Sequence, residues 1–259
     1  MRRTHSTLCA LGVLALVARP AQPGTPAPAQ SRAEVTPYPS RDVLKVARPE
    51  DKVDAPSVPP PPGATVLFDG KSLDGWAKAR TEPAAPASWR LVDGGAMQVS
   101  GGDIVTREAF DGHFRLHVEF RCPSMPDKTG QGRGNSGVYL QGRYEVQVLD
   151  SYGLASKDND CGGIYKVATP LVNACKAPTV WQSYDIDFRA PVFRDGKKAE
   201  PARISVVQNG VPIHKDVPIH LDNTVSGLGG DPARPGPIML QDHGDPVQFR
   251  NVWLVKLDK

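Results

Sequence analysis

Residues 113–122, HFRLHVEFRC, alternate apolar and polar side chains without a break, and residues 181–190, WQSYDIDFRA, do so again. Successive side chains of a strand point to opposite faces, so this period of two is the signature of half-buried β-structure. In the first stretch Phe114, Leu116, Val118 and Phe120 share one face; in the second Tyr184, Ile186 and Phe188 do. Shorter runs of the same kind, Ala64–Asp69, Ser88–Val92, Ala96–Val99 and Ile104–Thr106, are separated by Asp-Gly and Gly-Gly turns. VVQNGV carries Asn-Gly, the strongest short hairpin signal. No long stretch carries helical periodicity. The pattern predicts an all-β sandwich of two antiparallel sheets, and the lack of a fixed repeat argues against a propeller.

The chain has 259 residues and a formal net charge of +3 with no basic stripe, which excludes nucleic acid as the expected partner. Arg2 and Arg3 precede the apolar run LCALGVLALVA, residues 8–18. That order reads as a secretory signal peptide, expected with its processing region over residues 1–29. The run is short for a membrane span, so no transmembrane segment is expected after its removal. Cys9 lies too early to be a lipid-attachment cysteine. Residues 30–63 are Pro- and Ala-rich, end in SVPPPPG, and read as a largely disordered linker. The folded domain is expected over 64–259, and the protein is expected to be exported, to the periplasm or the medium.

Export leaves Cys122, Cys161 and Cys175. In an oxidising compartment Cys161 and Cys175 are the expected disulfide, closing a short loop worth ~3 kcal/mol, with Cys122 free; the alternative is three unpaired thiols. No CxxC or His-x-x-x-His spacing points to zinc. A divalent cation, either calcium held by loop carboxylates or a catalytic metal, is left open, and no cofactor is otherwise called for.

The densest polar pattern is YEVQVLD, residues 144–150. Glu145 and Gln147 fall on one face, opposite Val146 and Val148. Asp150 rejoins Glu145 only if a bulge intervenes near Leu149; otherwise the strand ends and Asp150 caps the turn at Ser151-Tyr152-Gly153. Asn135 and Ser136 sit in a Gly-rich turn entering a strand, where short amides and hydroxyls can reach sugar hydroxyls or merely stabilise the turn. Gln241 and His243 fall on one face of a late strand that Gly244 breaks, and His243 is a candidate acid or base. Tyr139, Tyr165 and Trp181 offer flat faces for a sugar ring, or belong to the core.

FDGKSLDGW, GNSGVYLQGRYEVQVLDSYG, CGGIYK, WQSYDIDF, VVQNGV and IMLQDHGDPVQFRNVWLVKL, taken in this order, resemble the 3-keto-disaccharide hydrolase domain family over nearly the whole chain from residue 64. The resemblance implies a concanavalin A-like jelly roll. Glucanases of that fold carry Glu-x-Asp-x-x-Glu on a strand; the similar places here are Glu145, Gln147 and Asp150, with an amide in the middle. It further implies a glycoside or oligosaccharide substrate oxidised at carbon 3. A ketone there acidifies the hydrogen on carbon 2, so the carbon 1 leaving group can depart by elimination, and water then adds back. On that reading Glu145 is the base and His243 or Asp150 the acid. Gln147, Asn135 and Gln241 hold hydroxyls or the enolate oxygen, and Arg250 reaches the same face or pairs elsewhere. The alternatives are a non-catalytic carbohydrate-binding module and a conventional glucan hydrolase.

Overall fold

The computed structural model describes residues 45–46 and 52–257; the expected signal peptide lies outside the described residues. In chain order the strands are β1 Lys45–Val46, β2 Thr65–Phe68, β3 Trp76–Lys78, β4 Arg90–Val92, β5 Ala96–Gln98 and β6 Ile104–Phe110. They continue with β7 His113–Arg121, β8 Ser136–Leu140, β9 Tyr144–Val148, β10 Val172–Asn173, β11 Gln182–Arg189 and β12 Val192–Arg194. The last are β13 Lys197–Glu200, β14 Ala202–Gln208, β15 Val211–Ile219, β16 Gly236–Leu240 and β17 Gln248–Lys256. A 3-10 turn at Gly130–Gly132 is the one short helical piece among the described residues.

Two antiparallel sheets form the sandwich. The larger runs β15-β14-β11-β7-β17-β5-β4, with β2 also on β17; the smaller runs β3-β6-β16-β8-β9. The alternation of HFRLHVEFRC decides which side is core: Phe114, Leu116, Val118 and Phe120 are fully buried, facing Tyr184, Ile186 and Phe188 of β11 in the same layer. From the smaller sheet Val138, Leu140, Tyr144, Val146 and Val148 close the other side. The Asn-Gly hairpin forms as expected: Gln208 pairs with Val211, and Asn209 and Gly210 both have positive φ, 53° and 80°. That is a type I′ turn, whose twist matches the flanking strands.

The polar side of β7 is not a wet face. His117 and Glu119 are buried. Residues 54–58, assigned to the linker by composition, lie against them. Asp54 accepts a hydrogen bond from Trp181 N, Ala55 N donates to Trp181 O, and Ser57 Oγ and Val58 N donate to Glu119 Oε1. Asn251 Nδ2 and Trp253 Nε1 donate to Val58 O. Pro56 within this strap and Pro59–Pro62 after it carry no N–H, so few donors need partners and a handful of groups can hold it on the sheet. His117 stacks on Trp253, with ring centres 4.8 Å apart, and its Nδ1 lies 2.8 Å from Asp185 Oδ1.

The expected disulfide is not formed. Cys122, Cys161 and Cys175 are buried free thiols. The two thiols lie in contact with each other, and each has further partners: Cys161 Sγ lies 3.2 Å from Tyr184 Oη and from Gln208 Nε2, and Cys175 Sγ lies 3.4 Å from Lys176 O. Among the described residues no helix is long and apolar enough to cross a membrane.

Candidate active site

The outward face of the smaller sheet carries the densest buried polar chemistry. Its register is set by the turn after β8, where Gln141 and Gly142 both take positive φ, 52° and 64°. Tyr139 is thereby placed opposite Glu145, and Gly137 opposite Gln147. Beyond β8, Met239 pairs with Tyr139, and Gln241 N donates to Gly137 O. On the far side of β9 the segment 162–165 adds itself as an edge: Gly162 N donates to Gln147 O, Gln147 N to Gly163 O, and Tyr165 N to Glu145 O. One face therefore presents Tyr165, Glu145, Tyr139 and Met239 in one row and Gln147, Gly137 and Gln241 in the next.

Glu145 is only 3% exposed. Its carboxyl leans over Gly137: a Cβ at that glycine would stand 2.5 Å from Glu145 Oε1 and 2.8 Å from Tyr139 Cε2. Burial pushes the Glu145 carboxyl up to about 8; a hydrogen bond with Tyr139 opposes this and the negative charge of Asp103 adds to it. Burial and the same carboxyl push the Tyr139 phenol well above its ordinary range, so it stays a proton donor. Gln241 Nε2 donates to Tyr139 Oη at 3.2 Å, and Tyr139 Oη donates to Val225 O at 3.1 Å. The hydrogen bond that opposes the rise has the phenol donating to the Glu145 carboxylate, in place of its bond to Val225 O. Asp103, on β6's approach, is taken up by Arg80 and by Asp242 N.

Other expected site residues are placed differently. Strand β9 ends at Val148, so no bulge returns Asp150 to the face of Glu145. Asp150 instead accepts from Tyr152 N and pairs with Arg133 Nε at 3.0 Å, which makes it a turn cap rather than an acid beside Glu145. Ser136 shares the inward side of β8 with Val138, and its hydroxyl donates to Gln241 O, tying β8 to β16. Trp181 and Arg250 belong to the larger sheet: Arg250 Nε donates to Glu119 Oε2, and its guanidinium covers Trp181 at 4.1 Å from the ring centre. They cannot reach Glu145 because the sandwich core separates the two outer faces. His243 is exposed in the loop after β16, with no hydrogen bond to another described residue. Asn135, Gln147, Tyr165 and Gln241 do join Glu145 on its face.

Tyr139 was legible in sequence only as a stacking ring; the positive-φ Gly142 turn is the signal that sets it opposite Glu145. Asp103 and Gln131 carried no signal. Among the described residues no cluster of three or more His, Cys, Asp or Glu is placed to hold a metal ion. A solvent-open depression of about 670 Å³ lies on the other sheet, lined by Arg115, Asp185, Asp187, Arg203 and Lys215. Its charges are largely paired, as in Arg203–Asp216, and it contains none of the expected site residues.

The chain matches the model of the 3-keto-alpha-glucoside-1,2-lyase-like domain over residues 63–255. A solved protein of Parabacteroides distasonis ATCC 8503, provisionally assigned as a glycosyl hydrolase, is 38% identical, with a TM-score of 0.68; the match covers 76% of this chain and 85% of that one. A second protein of that organism, with the same provisional assignment, is 22% identical, with a TM-score of 0.55, covering 76% of this chain and 94% of the other, and speaks for the fold alone. Comparison with curated proteins gave no match. With a concanavalin-like sandwich of carbohydrate-active enzymes and a buried carboxyl, phenol and amide site on one sheet face, the chain belongs to the 3-keto-alpha-glucoside-1,2-lyase-like domain family.

Proposed function

We propose that the protein is an exported enzyme that cleaves glycosides oxidised at carbon 3, by elimination across carbons 1 and 2 followed by addition of water. The observation that carries this reading is the company Glu145 keeps: a phenol and amides, with Asp103, the carboxylate whose charge acts on it, already paired with Arg80. Double displacement at an ordinary glycoside needs two carboxylates flanking the bond, about 5–5.5 Å apart. Removing a proton acidified by a ketone needs one base and a donor for the enolate oxygen. The family description, a 1,2-lyase, supports the same order of events.

In the proposed reaction the Glu145 carboxylate takes the carbon 2 proton. The electron pair forms the enolate, to which Tyr139 turns its hydroxyl from Val225 O, with Gln241 holding the phenol in place. Collapse of the enolate forms the carbon 1–carbon 2 double bond and breaks the bond from carbon 1 to the leaving oxygen. That oxygen takes a proton from water. Addition of water across the double bond releases the free 3-keto sugar. A base with a pKa near 8 is a strong one, and kcat/KM should rise with pH up to about 8.

The test is turnover of 3-keto-trehalose beside unmodified trehalose. Sugar release from the keto substrate alone is expected. Cleavage of both would establish conventional hydrolysis, and binding of both without cleavage would establish a binding module. Gly137→Ala tests the geometry: the added methyl must displace the Glu145 carboxyl or the Tyr139 ring. A loss of about 100-fold in kcat/KM is expected, since misplacement of a catalytic group by about 1 Å has that effect. Overpacking should lower stability by about 1–3 kcal/mol in a melting experiment.

A further inference from the structure

Two buried amide oxygens on the same face have no partner. Asn135 Oδ1 and Gln147 Oε1 make no hydrogen bond, although the residues are only 2% and 1% exposed. A buried acceptor left unpaired is costly, so such atoms are ordinarily satisfied in the working state of a protein. Their orientation is fixed by their other ends. Asn135 Nδ2 donates to Gln131 O at 2.7 Å. Gln147 Nε2 donates to Gln131 Oε1 at 2.9 Å and reaches Asn159 O at 3.4 Å. Gln131 Nε2 donates to Asn159 O at 2.7 Å, which fixes Gln131 in turn. The backbone carbonyls can only accept, so flipping Asn135 would set oxygen against oxygen. Both carbonyl oxygens are therefore left facing no donor, and an amide oxygen can only accept.

We propose that Asn135 Oδ1 and Gln147 Oε1 form a hydroxyl-reading subsite, clamped by Gln131, that takes the carbon 4 and carbon 6 hydroxyls of the 3-keto sugar ring. This deepens, and rests on, the reading of Glu145 as the base at carbon 2. Gln147 stands two residues beyond Glu145 on one strand, about 6.6 Å along it, which is the scale of a sugar ring. With carbon 2 over Glu145, the far edge of the ring meets the two acceptors. The subsite also orients the ketone: an acceptor-only oxygen is repelled by two carbonyl oxygens and turns toward the donor side, where Tyr139 lies. The predicted substrates are glycosides whose keto ring carries free hydroxyls at carbons 4 and 6; sugars alkylated or acylated there are rejected.

The experiment compares a 3-keto-glucoside with its 4-deoxy and 6-deoxy analogues on wild type, Gln147→Met and Asn135→Ala, with melting curves to verify folding. On wild type each deoxy analogue should lose about 10- to 100-fold in kcat/KM, because the acceptor it abandons stays buried and unpaired. In Gln147→Met one penalty should shrink to within about twofold, and in Asn135→Ala the other. Wild type turning over both deoxy analogues as well as the parent overturns the proposal, as do penalties that persist unchanged in both variants. The wild-type arm stands even where a variant does not fold. Calorimetric binding of the three sugars separates the two readings. Deoxy penalties in binding without turnover uphold the subsite and remove the elimination reading; equal binding of all three overturns the subsite.

Discussion

Replacing Glu145 with Gln is expected to abolish turnover while making the protein more stable at alkaline pH. Loss of a positioned base typically lowers the rate about 10²- to 10⁴-fold, and nothing else on this face can replace it: Tyr139 is held protonated, Gln147 and Gln241 are amides, and Asp103 is paired. The stability effect follows from the raised carboxyl. Unfolded, Glu145 titrates near its ordinary value of 4.5; folded, it titrates at about 8. Between those values the folded chain keeps a proton that the unfolded chain has released, so stability falls as pH rises through this window and the loss is complete above about 8. That difference is on the order of 5 kcal/mol. A Gln side chain never ionises, so it carries no such pH-dependent loss. Wild type and variant should unfold alike near pH 4, and the variant should be several kcal/mol the more stable at pH 8, read by urea unfolding at each pH. An inactive variant with no such gap would mean that Glu145 is ionised at neutral pH. An active one would remove it from the chemistry.

Glu119→Ala is expected to be the most destabilising single change on the opposite sheet, with turnover retained. Its carboxylate accepts from Ser57 Oγ, Val58 N and Asn251 Nδ2 on one oxygen and from Arg250 Nε at 2.7 Å on the other, with His117 Nε2 3.5 Å away. Burial by itself would raise its pKa, but the His117 ring beside it and hydrogen bonds from Ser57, Asn251 and Arg250 outweigh it and bring the group to about 2. Removing the carboxylate leaves these donors, and the Arg250 cation, facing nothing. Breaking a buried ion pair in this way costs about 3–5 kcal/mol, or about 10 °C in Tm for a domain of this size. Residues 54–58 should then become open to proteolysis and hydrogen exchange, since Glu119 is their main anchor. Because the folded pKa is depressed, the stabilisation is present above pH 4.5 and is lost as pH falls toward 2. An unchanged melting temperature would show that the strap and network contribute nothing.

The two predictions concern residues that look alike in the sequence. Glu145 in YEVQV and Glu119 in HVEFR both sit at polar positions of an alternating strand, and both are buried. One becomes a proton-bound group on a candidate active site; the other becomes an ionised anchor. The difference comes from what covers them. Glu145 meets a phenol contributed by its hairpin partner and no cation. Glu119 meets Arg250 from β17 and a strap from the amino-terminal segment. The same limit explains Trp181 and Arg250, which alternation marks as outward-facing without saying on which sheet. It explains Asp150 too, whose role turned on whether β9 continued past Val148.

What the sequence determined by itself was local: the period of two that makes strands, the Asn-Gly turn, the inward rows of Phe, Val and Ile, and the shared face of Glu145 and Gln147. These follow from backbone geometry over a few residues, which every chain obeys regardless of its neighbours. The tertiary structure alone decided that β16 lies between β6 and β8, bringing Gln241 to Gly137 and Tyr139, and that residues 54–58 bury His117 and Glu119. It alone left Cys161 and Cys175 as separate thiols. Such contacts join residues far apart in the chain, and they form only when closing the sandwich offsets the entropy of bringing them together.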